Sequence, residues 1–379
     1  MLEEYPRNVV ALLARLIAID SQSSKDNAPV IALLSLWFAG YQTHIHEWTR
    51  EKDGIKGKNL IVKIPGKNSE KSLVFLCHMD TVPPSSAWET DPFILEEVEG
   101  KLYGLGACDT KGGVASLIQA VFSLTQQPAV DTYLVFDGDE ESTWTGAKSF
   151  HKHYALPNPT FIAVEPTDAT LCLGARSILE CTITTNGIST HASFGTPELN
   201  RKKNAIYKMN SILNVLIEDA HVLSQEHDAL MGSNSQNIGM ILGGTARNVL
   251  PDTCTMTLDR RLLPTKDMEQ ELLFLKEMIQ LVDPHATIGS VFYQKGFRMN
   301  EDTKEIKQMV KIIQKTLPDI KAGCFQAMSE VTLFQEMGDC IVLGPGSISL
   351  AHRANEYVRS KELFDYVNIY RDIIEAVTL

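Results

Sequence analysis

Apolar residues recur at helical spacing over residues 9–19 and again over 28–38, where Pro29 falls in the first turn, a position that needs no N–H. The chain is therefore predicted to open with two helices. The pattern then shortens. Residues 43–48 alternate like a strand, 59–64 form a second, and 73–77 are an unbroken apolar run, the mark of a strand covered on both faces. A helix beginning near Gly113, an apolar run at 133–136, a short helix over 147–154 and a further run at 161–164 follow. Strands alternating with helices predict an α/β fold with a mainly parallel sheet covered by helices.

From about residue 178 the order changes: strand 178–185, helix 205–217, strands 236–242 and 254–258, helix 268–281, strand 286–293. That βαββαβ order is the split, ferredoxin-like α+β unit, which can bury a core of its own. Past Met299 the alternation resumes, with helices over 303–317 and 331–337, a run at 341–343 and a closing helix over 363–377. The predicted organisation is one domain built from residues 1–177 and 294–379, with a ferredoxin-like domain of residues 178–293 inserted into it.

Size and charge narrow the function. A chain of 379 residues exceeds what one core usually supports, in keeping with two domains. A balance of 35 basic against 47 acidic residues, net −12, argues against nucleic acid and against a polybasic membrane surface, leaving small molecules as expected ligands. Residues 1–7 are acidic and lack the order of a secretory signal, and no apolar run reaches membrane-spanning length, so a cytoplasmic location is expected. Seven cysteines without a Cys-x-x-Cys pair, mostly inside apolar runs, read as reduced structural thiols.

The candidate chemistry centres on the stretch from Gly104 to Gly113, which sets Asp109 in a glycine-rich turn before a helix. Ligand-type residues also follow the apolar runs: His78-Met79-Asp80, Asp139-Glu140-Glu141, Glu165-Pro166, and His352 beyond the Gly344-Pro345-Gly346 turn. In open parallel sheets, ligands gather in the crevice beyond the carboxyl ends of the strands. Asp80 lies two residues past His78, placed to accept its free ring N–H. Adjacent Glu140 and Glu141 point opposite ways from extended backbone, so one can bind a cation while the other faces the attacking water. Each feature alone has a plain reading as a strand or helix cap. Together they form a histidine and carboxylate set without thiolate, which suits two divalent ions, zinc or else cobalt or manganese, about 3.5–4 Å apart. His44-x-His46 and His151-x-His153 have similar spacing but follow no buried strand, and read as surface histidines. A dinucleotide fingerprint is a poor match, because Asp109 stands where its third glycine belongs.

The stretch from Trp88-Glu89-Thr90-Asp91-Pro92-Phe93 through Gly104-Leu105-Gly106 to Asp109-x-Lys111-Gly112 resembles the acetylornithine deacetylase/succinyl-diaminopimelate desuccinylase family of two-metal amidohydrolases. So does the stretch from Leu343-Gly344-Pro345-Gly346 through Ala351-His352 to Glu356-Tyr357. Both look most like the acetylornithine deacetylase branch. The resemblance spans essentially the whole chain. It implies a zinc-exopeptidase-like fold and two metal ions, one held by His78 and Glu165, the other by Glu141 and His352. Asp109 would bridge them, with Glu140 as general base and Asp80 behind His78. It further implies a homodimer through the inserted domain, with His191 reaching the partner's site to hold the oxyanion, and Asn248 and Arg261 holding the substrate's carboxylate. Gly346 and Glu330 are candidate substrate contacts, Glu330 toward a side-chain amine. The implied reaction is amide hydrolysis of an N-acylated amino acid, N2-acetylornithine foremost, in arginine biosynthesis. Thr110, Cys108 and Asn355-Glu356 depart from that branch and leave open a succinylated substrate or a dipeptide. A silent binding protein of the same fold is the alternative of another class.

Overall fold

The computed structural model describes residues 6–377, so the acidic opening residues 1–5 lie outside it. Contacts divide the chain into two compact units: one runs to Gly174 and resumes at Met299, and the other is Ala175–Arg298.

The first unit is built on a mixed sheet. The strands Val130–Asp137, Asn68–His78, Pro159–Ala163 and Asp339–Val342 lie side by side in that order and run parallel. The hairpin Gln42–Thr49/Lys56–Ile64 adds an antiparallel flank on one side, and Thr170–Ala175 an antiparallel neighbour on the other. The unbroken apolar runs are the central strands: every residue from Ser72 to His78, and from Pro159 to Ala163, is buried. The helix Lys111–Phe122 is buried along nearly its whole length and packs against Val9–Ile17 and Ser360–Ala376. Phe75, Phe136 and Phe161 are fully enclosed, each worth about 1.5–3 kcal/mol relative to an exposed ring. The run predicted as a helix at 331–337 is instead a 3-10 turn, Glu330–Phe334.

One small sheet had no periodic signal. Glu96–Val98, Lys101–Tyr103 and Tyr357–Arg359 pair antiparallel, joining segments some two hundred and fifty residues apart. It fixes the turn that carries Asp109, because the buried Glu356 carboxylate accepts the Gly106 amide and the Glu356 carbonyl accepts that of Gly104. Lys111, fully buried, donates to the carbonyls of Leu16 and Ile19 at 3.1 Å each; burial brings its amine down to about 8. Gly112 approaches the Ala107 carbonyl so closely that a Cβ there would lie 2.3 Å from the oxygen. The Asp109–Thr110 peptide is cis.

The second unit is a four-stranded antiparallel sheet in the order Ser235–Gly243, Thr253–Leu262, Ser177–Asn186, Thr287–Gln294. The helices Ala205–Leu223 and Met268–Val282 complete the βαββαβ order. Its core comprises Leu179, Ile183, Met209, Ile212, Leu216, Met256, Leu258 and Leu275, with alternate residues of Thr253–Leu262 pointing inward. All seven cysteines are buried and free. No helix among the described residues is long and apolar enough to cross a membrane.

Candidate metal centre

Four parallel strands end at one edge of the first unit's sheet, and the ligand-type residues sit on those ends. His78 closes its strand; Glu140 and Glu141 follow Val130–Asp137, Glu165 follows Pro159–Ala163, and the turn toward His352 follows Asp339–Val342. Asp109 lies among them with one oxygen facing each side. Its Oδ1 is 3.1 Å from His78 Nε2, and its Oδ2 is 3.5 Å from His352 Nε2. Glu165 is 3.8 Å from His78 Nε2, and Glu141 is 2.8 Å from His352 Nε2. The donor atoms of His78, Asp109 and Glu165 lie within 4.8 Å of one another, as do those of Asp109, Glu141 and His352. Two donor groups thus share one aspartate. His352 reaches in from a left-handed backbone position, φ 60°, beyond Gly346, whose φ of 90° and contact with Cys108 leave no room for a side chain.

Electrostatics show how crowded this acidic cluster is. Burial raises the Glu165 carboxyl to about 8, with Asp109 and Glu330 adding repulsion against the opposing pull of His78. Burial likewise pushes Glu140 well above the usual carboxylate range, and nearby Glu330, Glu165 and Glu141 reinforce it. Glu141 is raised by burial too, although its bond to His352 works the other way. Burial disfavours charge on His78, but Glu165, Asp109 and Asp80 outweigh that and hold the imidazole well above its usual value. The Glu141 bond raises His352.

Two sequence expectations need correcting. His78 Nδ1 lies 3.1 Å from the backbone carbonyl of Asp80 and 3.7 Å from its carboxylate. The carboxylate instead accepts the amides of Glu140 at 3.1 Å and Glu141 at 3.2 Å, and the Ser23 hydroxyl at 2.8 Å. The two backbone amides and the Ser23 hydroxyl thus take the hydrogen bonds of the carboxylate, which acts on the ring only from 3.7 Å. Glu330 is only 1% exposed, bonds to Ser329, and groups with Glu140 and Glu165, leaving no surface for a substrate amine. The two His-x-His pairs lie at the surface as expected, with His44, His151 and His153 exposed and His46 half-buried; the His46 and His153 rings meet at 4.5 Å, and His44 bonds the Tyr154 hydroxyl. Glu356, at the end of the family-like stretch, supports the site, and so do Ser23 and Arg50, which nothing local in the sequence marks.

The second unit carries the other candidates. Ser193 donates its amide to Nδ1 of the exposed His191, which in a neutral ring leaves the proton on Nε2. Asn248 is adjacent, its carbonyl accepting the Ala192 amide at 2.9 Å. Arg261 lies at the far end of the same hairpin, opposite Ser235, roughly 20 Å away at ~3.3 Å per strand residue. Its Nε and Nη2 are held by Asp259 at 2.8 Å each, because residues two apart on a strand share a face. The fork expected to meet a substrate carboxylate therefore already has a counter-ion.

The model of Peptidase family M20/M25/M40 matches residues 74–376. The chain belongs to this family. M20 relatives by sequence include acetylornithine deacetylases of Myxococcus xanthus, 28% identical with 93% of each chain covered, and of Proteus mirabilis, 30% identical with 90% of this chain and 88% of the other covered. By fold it is similar to an M20 family metallo-carboxypeptidase from Sulfolobus solfataricus, with TM-score 0.78, 16% identity, and 97% of this chain and 98% of the other covered. A Staphylococcus aureus tripeptidase matches at TM-score 0.76 and 20% identity, with 97% of each chain covered. This M20 chain is accordingly a metal-dependent hydrolase with a zinc-exopeptidase-like α/β fold.

The donor set fits the divalent ions of the M20 family. It offers imidazole and carboxylate, no cysteine stands in any donor group among the described residues, and the buried carboxyls repel one another unless cations lie between them. Metal must displace protons from Glu165 and His78, so affinity rises as pH climbs through about 8. Zinc binding to metal-free protein at pH 7 is expected to release protons. Calorimetry in buffers of different ionisation heat checks this, and an enthalpy independent of buffer would contradict it.

Proposed function

We propose that the protein hydrolyses the amide bond of an N-acylated amino acid, with N2-acetyl-L-ornithine as substrate and acetate and L-ornithine as products. The observation that carries this reading is Asp109 shared between two donor groups, with the Glu140 carboxyl alongside and in neither. His78 and Glu165 would hold one divalent ion, Glu141 and His352 the other, and Asp109 both. Zinc suits the set, with cobalt or manganese able to replace it. Ions so held supply Lewis acidity toward the acyl carbonyl and make a water easier to deprotonate. Glu140, whose burial among other carboxyls strengthens it as a base, takes a proton from the attacking water and returns it to the leaving amine. Gly346 lets backbone line the cleft without a side chain.

The inserted unit completes the proposed site through a homodimer. His191 donates Nε2–H to the developing oxyanion. In this reading His191 serves the partner's site, and Asn248 and Arg261 hold the substrate's carboxylate, Arg261 once Asp259 yields.

A panel of N2-acetylornithine, N-succinyl-diaminopimelate and simple dipeptides, run with added zinc and cobalt, tests the assignment. The highest kcat/KM is expected for acetylornithine. Preference for the succinylated compound or a dipeptide would move the protein to another branch, and no turnover of any member would overturn the acyl-amino-acid reading.

A further inference from the structure

Glu140 and Glu141 stand on a loop that leaves its strand through Asp139, a non-glycine residue in the left-handed region at φ 74°. The Asp139 carbonyl accepts the amides of Thr143 and Trp144 at 3.1 and 2.7 Å, so this one residue sets the loop's direction. Its carboxylate is buried. Oδ2 accepts from the Thr143 hydroxyl and from the amide and hydroxyl of Thr145, while Oδ1 meets Arg50 Nη1 at 2.5 Å. Arg50, also buried, makes two further sets of bonds: Nε and Nη2 to Asp53 at 2.9 and 2.7 Å, and Nη1 to the Ser23 carbonyl at 2.9 Å. Ser23 then closes a ring, because its hydroxyl donates to Asp80, the residue that receives the Glu140 and Glu141 amides.

We propose that Arg50 is a positioning residue for the reaction, holding Asp139 and Ser23 together so that Glu140 and Glu141 are presented at fixed depth and orientation. The inference rests on the hydrolase reading above for its kinetic consequence, but not for its structural one. The guanidinium is the hub of the ring. Asp139 anchors the loop from its N-terminal side and Asp80 grips the next two amides, and among the described residues Arg50 and Ser23 tie those two carboxylates to each other. Planar, multiply donating and permanently charged, an arginine can serve a carboxylate on each edge and a carbonyl at once, which lysine cannot. A displacement of about 1 Å at a reacting group lowers rate on the order of 100-fold.

The test compares Arg50→Met, Asp139→Asn and the double variant Arg50→Met/Asp139→Asn in zinc-loaded protein. The double variant guards against misfolding, since removing both partners buries no lone ion. On the best substrate of the panel, Arg50→Met and the double variant are expected to lose kcat on the order of 100-fold. With zinc saturating, KM should stay within about twofold, the pattern of an interaction realised only in the transition state, while zinc affinity on the Glu141 side should fall because Glu141 is one of the two groups the clamp presents. Hydrogen exchange should quicken at the Glu140 and Glu141 amides and not across the sheet. A purely structural ion pair would lower the melting temperature without that split, and unchanged kcat in a folded, zinc-replete double variant overturns the proposal. Should the wild-type protein turn over no panel member, the proposed reaction fails on its own, and the exchange measurement still decides: unaltered protection at Glu140 and Glu141 in the folded double variant refutes the clamp.

Discussion

Glu140→Ala is expected to lower kcat about 10²- to 10⁴-fold, the usual contribution of a positioned general base, while the protein keeps its metal. The expectation follows from where the carboxyl sits. Glu140 belongs to the group with Glu165 and Glu330 and to neither group containing Asp109, so its loss removes a proton carrier and leaves both proposed ion sites their ligands. Removing one member of a crowded acidic cluster also relieves repulsion, so metal-free stability should not fall. Glu140→Gln, which keeps the shape and abolishes the base, should behave the same way. Steady-state kinetics with elemental analysis of the same samples checks this. Wild-type kcat in either variant would remove Glu140 from the reaction.

Asp109→Ala should be more severe, and in a different manner. Because one oxygen faces His78 and the other His352, a single substitution strips a ligand from both sites at once. Bound metal should fall toward zero and turnover toward background, a loss on the order of 10³-fold or more if the ions contribute several kcal/mol. His352→Ala, which touches only the Glu141 side, should weaken one ion and spare the other. The pairing distinguishes a bridging acid from an ordinary ligand: equal metal loss in the two variants would mean Asp109 does not join the sites. The metal-free Asp109→Ala protein should melt no lower than the metal-free parent.

Much of this was legible in the amino-acid order because it is local. Runs such as residues 73–77 and 161–164 mark strands covered on both faces, and whatever follows them lies at the sheet's edge. His78, Glu140, Glu141 and Glu165 could therefore be placed at one crevice without coordinates, and the change of element order near residue 178 marked the ferredoxin-like insertion. Burial period and strand alternation depend on neighbours a few positions away, so a linear reading captures them.

Choice of partner is another matter. Asp80 bonds the Glu140 and Glu141 amides rather than the His78 ring it stands beside, and Arg50 finds Asp139 across 89 positions. Glu330 turns into the carboxylate cluster, and Tyr357–Arg359 docks on Lys101–Tyr103. Which buried donor meets which acceptor is settled only when every polar group in the closed interior must be satisfied together, and that competition runs over segments whose proximity exists only after the chain has folded.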